Sequence, residues 1–177
     1  MKQKIKIVFT DVDGVWTDGK INYTDNGFVF RSFNVLDSLG VSILKKLGIV
    51  LVVLTGEDTG DIKMRFNELK IKHIYTGLRN KSYIADDVMK NLGFSFENAA
   101  FIGDDISDLP LLSKVAISAA PFGVADYIAE KVTWNLSRKG GEGVFREFAE
   151  KIAFHNGEWD LFLDDYLKRI SKTPETM

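Results

Sequence analysis

Asp11 and Asp13 in "TDVDG", and Asp104 and Asp105 in "GDDISD", each stand directly after a short apolar run. Asp18 and Asp108 follow close behind. Carboxylates crowded against buried elements repel one another unless a cation joins them. Magnesium takes an octahedron of hard oxygens, usually one or two carboxylates with waters and substrate phosphate oxygens, and Asp11, Asp104 and the main-chain carbonyl of Asp13 suit it. Two further residues fit the same chemistry. Thr55, beside Gly56 in "LTGE", offers a hydroxyl to a phosphoryl oxygen, and Lys81 offers an ammonium to balance its charge. Phosphate-monoester hydrolysis without help requires accelerations up to the order of 10²¹, whereas one acid or base supplies roughly 10² to 10⁴. A carboxylate nucleophile, a charge-neutralising cation and a second carboxyl that protonates the leaving oxygen and then activates water must therefore combine. Across a tight turn, the spacing of Asp-Val-Asp lets one side chain point at phosphorus and the other at the leaving group.

Residues so far apart meet only if the fold gathers strand ends. Strand-length apolar runs occur at Ile5 to Thr10, Ile49 to Thr55, Lys72 to Gly77, Ala99 to Asp105, Val115 to Ala120 and Lys131 to Asn135. Helical patterns separate them: Leu36 to Leu47, Thr59 to Leu69, Ser82 to Leu92, Ile106 to Ser113, and Phe122 to Glu130 after Pro121. This alternation predicts an α/β fold, a Rossmann-like parallel sheet with helices on both faces and right-handed crossovers. Ligands bind such sheets outside the carboxyl ends of the strands, where Asp11, Asp13, Thr55, Gly56, Asp104 and Asp105 fall, with Lys81 opening the helix after the third run. Singly, each has an ordinary explanation: aspartates favour turns and helix caps, as Asp105 does before its helix, and lysines favour surfaces. Their conjunction at one end of the sheet is what argues for a site. His73 and His155 are isolated and read as structural.

One insertion interrupts the alternation. Residues 20–33, "KINYTDNGFVFRSF", alternate apolar and polar on either side of Asn26-Gly27, a strong hairpin signal. Its outward-facing Ile21, Tyr23, Phe28 and Phe30 need covering by the body or by another subunit. The tail, 137–177, passes from glycines into a short helix over "GVFREF" and then an amphipathic helix from Trp159 to Ile170, whose aromatic residues read as packing.

With 177 residues the chain fits one domain, 1–177, in which roughly 70% of the unfolded surface can be buried. Hydrophobic residues at 45%, charged residues at 27% and a net charge of −2 describe an ordinary globular protein with no nucleic-acid footprint and no basic membrane surface. The absence of cysteine excludes disulfides and thiolate metal sites and is compatible with a reducing cytoplasm, the expected location. Aspartate interrupts the amino terminus before any signal-length apolar run, so no export signal and no membrane span is expected.

In order and spacing, "DVDGVWTDG", "LTGE", the lysine of "RNKSYIADDV" and "GDDISD" resemble the motifs of the haloacid dehalogenase (HAD) superfamily of phosphotransferases. More narrowly, "DVDGVWTDG" with its hairpin, "FNVLDSLG" and "GGEGVFREF" are similar to the small phosphatases of 3-deoxy-2-keto sugar acid phosphates, which act on eight-carbon octulosonate 8-phosphates and nine-carbon nononate 9-phosphates. The resemblance implies a magnesium-dependent phosphoric monoester hydrolase with Asp11 as nucleophile, Asp13 as acid and base, Thr55 and Lys81 on the phosphate, Asp104 on the metal, and Asp105 and Asp108 supporting. Larger superfamily members insert a cap domain. Here the first gap, about 40 residues, is filled by the hairpin, a helix and a strand, so no cap is expected. The resemblance also implies a homotetramer in which a neighbour's tail reaches the active site, and Arg138, Gly140 and Gly141, within the stretch from Arg138 to Arg146, are the candidates.

For a sugar acid, Arg65 is the candidate partner of the substrate carboxylate. Glu57 stands where octulosonate phosphatases generally carry arginine, and resembles the nine-carbon enzymes instead, which favours a nine-carbon substrate. Another small phosphomonoester is one alternative. A signalling receiver domain is another, although it carries an adjacent acidic pair on its first strand, its acceptor aspartate on a middle strand, and no hairpin. The first strand-to-helix turn also lacks the glycine-rich dinucleotide fingerprint.

Overall fold

The computed structural model describes residues 3–172; Met1, Lys2 and the last five residues of the expected tail lie outside the described residues. Strand β1 (Ile7–Thr10) leads into a small antiparallel hairpin, β2 (Asn22–Tyr23) with β3 (Val29–Phe30), and then α1 (Asp37–Lys46). β4 (Val50–Leu54), α2 (Gly60–Glu68), β5 (His73–Tyr75) and α3 (Lys81–Leu92) follow. The next elements are β6 (Ala99–Ile102), a 3₁₀ turn (Ile106–Asp108), α4 (Leu109–Leu112), β7 (Ile117–Ala120), α5 (Asp126–Ala129) and β8 (Trp134–Asn135). Two helices close the chain, α6 (Val144–Asn156) and α7 (Trp159–Lys172).

The six sequence-predicted strands form one parallel sheet in the order β5-β4-β1-β6-β7-β8. Side chains of β1 alternate between faces, as a strand's period of two demands. Val8 joins Val53, Ala100, Phe66, Phe145 and Phe148 on the face covered by α1, α2 and α6. Ile7 and Phe9 join Leu54, Phe101, Val88 and Leu111 on the face covered by α3, α4 and α5. With both faces covered, β1, β4 and β6 read as nearly unbroken apolar runs. Among the described residues only the hairpin, α1 and the loops lie between β1 and β4, so no cap domain stands over the strand ends.

Several elements differ from their sequence patterns for local reasons. The stretch after Pro121 turns through Gly123 at φ +87° before a single helical turn, so α5 is shorter than expected. The helix starting at Val144 is longer than its glycine-flanked start suggests, because Phe145, Phe148 and Ile152 bury one face against the sheet. In α7, Phe162 packs with Ile43 and Ala153. The hairpin strands have only two residues each, and Ile21, Tyr23, Phe28 and Phe30 stay exposed, uncovered by the body. Among the described residues no helix is long and apolar enough to cross a membrane.

Asp37, fully buried at the start of α1, joins the two longest helices of its face. Its Oδ1 accepts from the Arg146 amide at 2.9 Å, while Oδ2 has no hydrogen-bond partner among the described residues. Burial pushes its pKa up to about 6, against the Arg146 hydrogen bond and the Arg65 charge. A carboxyl that binds its proton more tightly when folded stabilises fully below the unfolded value of about 4 and loses that contribution as pH rises through about 6. Urea unfolding is expected to show the native chain losing up to about 3 kcal/mol across that window. Asp37→Asn should flatten the decline; an identical slope in the variant would refute the assignment.

Candidate active site

The loop leaving β1 is pinned from below. Trp16 is fully buried, stacks on Phe145 with centroids 4.1 Å apart, meets Phe66 edge-on, and donates from Nε1 to Thr10 Oγ1 at 3.0 Å. This anchors a turn in which Gly14, at φ +83°, lies against Asp104: a Cβ there would sit 1.8 Å from Asp104 Oδ2. Only glycine permits that approach. Gly140 in turn packs under Gly14, where a Cβ would fall 2.0 Å from the Gly14 carbonyl, and the Gly141 amide donates to the Val15 carbonyl at 3.0 Å.

On this platform the strand ends converge. Lys81, the first residue of α3, places Nζ 2.8 Å from Asp11 Oδ2 and 2.7 Å from Asp108 Oδ1, in a nearly dry setting. Asp108 Oδ2 accepts from the Asp104 and Asp105 amides at 3.0 and 3.3 Å, so it shapes the loop after β6. Carboxylate oxygens of Asp11, Asp104 and Asp108 all lie within 4.8 Å of one another. Burial holds the Asp11 pKa well above the carboxylate range, Asp108 adds to this, and Lys81 opposes it. Asp104 is pushed up to about 7 by burial and then by Asp108. Burial also works against the Lys81 charge, yet Asp11 and Asp108 outweigh it and raise its pKa. Buried, mutually repelling acids of this kind mark functional centres. Asp104 Oδ1 is buried with no hydrogen-bond partner among the described residues, as expected of an atom shaped to meet a cation.

A recess of about 320 Å³ opens over these groups, lined by Asp11, Asp13, Thr55, Gly56, Glu57 and Lys81 together with Gly14, Gly19, Ile21 and the Asp104–Ser107 loop. Its size is that of a small-molecule site. Thr55, buried at the end of β4, accepts from the Glu57 amide at 3.2 Å, which leaves its hydroxyl proton to donate into the recess. The Asp13 side chain stands apart from the carboxylate cluster. Both Thr17 Oγ1, at 3.0 Å, and Arg31 Nε, at 2.7 Å, donate to its Oδ1.

No family model matches the chain. It is 39% identical to 3-deoxy-D-manno-octulosonate 8-phosphate phosphatase of Haemophilus influenzae over 92% of each chain. The cobalt-bound structure of the Haemophilus influenzae phosphatase superposes with a TM-score of 0.85 at 38% identity, covering 90% of this chain and 93% of that one. The enzyme of Moraxella catarrhalis, solved with magnesium ion, phosphate ion and KDO, superposes with a TM-score of 0.88 at 31% identity, covering 92% of this chain and 93% of that one. The chain belongs to the 3-deoxy-D-manno-octulosonate 8-phosphate phosphatase family. Its fold is the α/β fold of the HAD phosphatases, and as a family member it is a phosphoric monoester hydrolase.

Within this family frame, the structure separates the substrate candidates. Glu57 lines the recess and pairs through Oε2 with Arg31 at 3.3 Å. Arg65 does not reach it: its Nη2 donates to Ser38 Oγ at 3.0 Å, its guanidinium covers the Phe33 ring, and it bridges α2 to α1. Arg138 also turns away, donating from Nη1 to the Glu142 carbonyl at 3.1 Å. Gly140 and Gly141 pack against the first loop of their own chain, and Asn34 donates to the Gly141 carbonyl at 3.0 Å. Gly140 instead borders a second recess with Lys20, Phe122, Lys139 and Glu142, which shares Gly14 and Asp104 with the first.

Arg31 is the residue that sequence reasoning missed. Its side chain has no exposed surface and touches Asp13, Glu57, Thr59 and Asp61. A lone arginine among the apolar residues of "FVFRSF" was the available signal.

Proposed function

We propose that residues 1–177 form a single-domain, magnesium-dependent phosphatase that hydrolyses a 3-deoxy-2-keto sugar acid phosphate through an aspartyl phosphate on Asp11. The observation that carries the reading is the meeting of Asp11, Asp104, Lys81 and Thr55 at one recess, with Asp104 Oδ1 buried and unpartnered. The residues fit a hard divalent cation: Asp11 and Asp104 would hold it with the Asp13 carbonyl, while Asp108 is engaged by Lys81 and two amides. When bound, magnesium neutralises charge on the phosphoryl oxygens and aligns the group for in-line displacement.

The chain's own residues supply the rest. An Asp11 oxygen attacks phosphorus as the bond to the leaving oxygen breaks, and Asp13 gives that oxygen its proton. Asp13, now a carboxylate, takes a proton from water, which attacks the phosphorus on Asp11 and frees inorganic phosphate. Thr55 donates to a phosphoryl oxygen, and Lys81 balances charge beside the nucleophile. Asp11→Asn should lower phosphate release by about 10³-fold or more with an unchanged circular dichroism spectrum, and chelation of magnesium should do the same reversibly. Undiminished release in either case would end this reading.

Glu57 keeps Oε1 clear of Arg31 and is suited to accept hydrogen bonds from sugar hydroxyls, which supports a nine-carbon nononate 9-phosphate over the eight-carbon octulosonate 8-phosphate. Catalytic efficiencies should differ by about tenfold or more in that direction, the size expected for one well-placed polar contact; a preference for the eight-carbon compound would overturn it.

The uncovered apolar residues of the hairpin support a homotetramer in which hairpins pack together, and the cysteine-free sequence is compatible with a cytoplasmic protein. Sedimentation should find tetramers that dissociate when Tyr23 and Phe28 are changed to Asp, and a monomeric native chain would refute it.

A further inference from the structure

Arg31 leaves the base of the hairpin and enters the wall of the recess with no exposed side-chain surface. Its Nε meets Asp13 Oδ1 at 2.7 Å, Nη1 meets Thr59 Oγ1 at 3.0 Å and Asp61 Oδ2 at 3.1 Å, and Nη2 meets Glu57 Oε2 at 3.3 Å. One guanidinium therefore ties the loop after β1, the loop after β4 and the first turn of α2 to the hairpin. Only arginine carries enough donors, in a rigid planar fork, to hold so many acceptors at fixed angles. Thr17 Oγ1 donates to the same Asp13 oxygen at 3.0 Å. Both of these donors fall on Oδ1, so neither of them holds Oδ2.

We propose that Arg31 is a positioning residue for proton transfer: it fixes the Asp13 carboxyl so that Oδ2 faces the leaving oxygen, and it makes that geometry depend on the seating of the hairpin. This rests on the phosphatase reading above. The proton moves from Asp13 Oδ2 to the departing alkoxide as the phosphorus–oxygen bond breaks, and Asp13 recovers it from the attacking water. Arg31 gains and loses nothing. Its contribution is orientation, and misplacement by a fraction of an ångström is costly in such a step. A leaving group that needs no proton should then be nearly indifferent to Arg31 in the first half-reaction, whereas a primary alkoxide should not.

Single-turnover release of the alcohol is to be compared for p-nitrophenyl phosphate and ethyl phosphate, with magnesium present, in the native chain, Arg31→Lys and Asp61→Asn. Arg31→Lys keeps the charge and loses the fork. It should slow ethyl phosphate by about 10- to 100-fold and p-nitrophenyl phosphate by less than about threefold, a fraction of the full acid contribution. Asp61→Asn, which loosens only the far anchor, should give the same pattern at about 3- to 10-fold, and it answers the question if Arg31→Lys does not fold. In an Asp13→Asn background, Arg31→Lys should add less than about twofold on ethyl phosphate, because the group it positions is gone. Parallel losses on both substrates, no loss on either, or a full additional loss in the Asp13→Asn background would overturn the proposal. Failure of the native chain to release phosphate from these two substrates and from a 3-deoxy-2-keto sugar acid phosphate would instead remove the phosphatase reading itself.

Discussion

The Lys81 ammonium, held between Asp11 and Asp108 at 2.8 and 2.7 Å, is the contact on which the rim of the sheet depends. Three carboxylates this close would otherwise force one another to protonate or move apart, and removing one partner of a buried pair is far more costly than removing an exposed one. The pairing also divides labour among the acids. Asp108 has both oxygens engaged and serves as scaffold, Asp104 keeps one oxygen unengaged among the described residues, and Asp11 lines the recess with Oδ1 held by the Val12 amide and Oδ2 by Lys81. Chemistry and folding thus draw on the same few charges, which is why a lysine that opens a helix is buried here.

Beneath these charges lies a platform built from close backbone contacts. Trp16 locks the first loop into the aromatic core with Phe66 and Phe145, and the Gly14 and Gly140 backbones stack where any side chain would collide with Asp104 or a carbonyl. Such a floor holds its dipoles and carboxylates in place before substrate arrives, and preorganisation of this kind accounts for much of the power of phosphoryl-transfer sites. With no cap domain among the described residues, rigidity from below does the work that closure from above does in larger folds.

Much of this was written plainly in the sequence, and the exceptions share a cause. Parallel strands covered on both faces leave unbroken apolar runs, so residues such as Thr55 and Asp104 announce themselves as polar where apolarity stops. Lys81 could be placed at the rim by counting elements, although its burial could not, because that depends on Asp108 arriving from the turn after β6. Arg31 was hidden for the opposite reason: in an alternating hairpin it falls where a polar residue faces water, and only its acceptors on Asp13, Glu57, Thr59 and Asp61 turn it inward. Arg65 misled because an arginine near a glycine-bearing loop suits an anionic ligand, whereas its orientation was decided by Ser38 and Phe33. Strand ends were legible from periodicity alone; side-chain directions required the tertiary neighbours.

The stacking of Gly140 on Gly14 also has a consequence for how the protein is made. The floor of the first loop is laid by residues translated more than a hundred positions later, so a nascent chain can carry Asp11, Thr55, Lys81 and Asp104 and still lack the support beneath them. The ribosome must release the chain through Gly140 and Gly141 before the floor of this centre is complete.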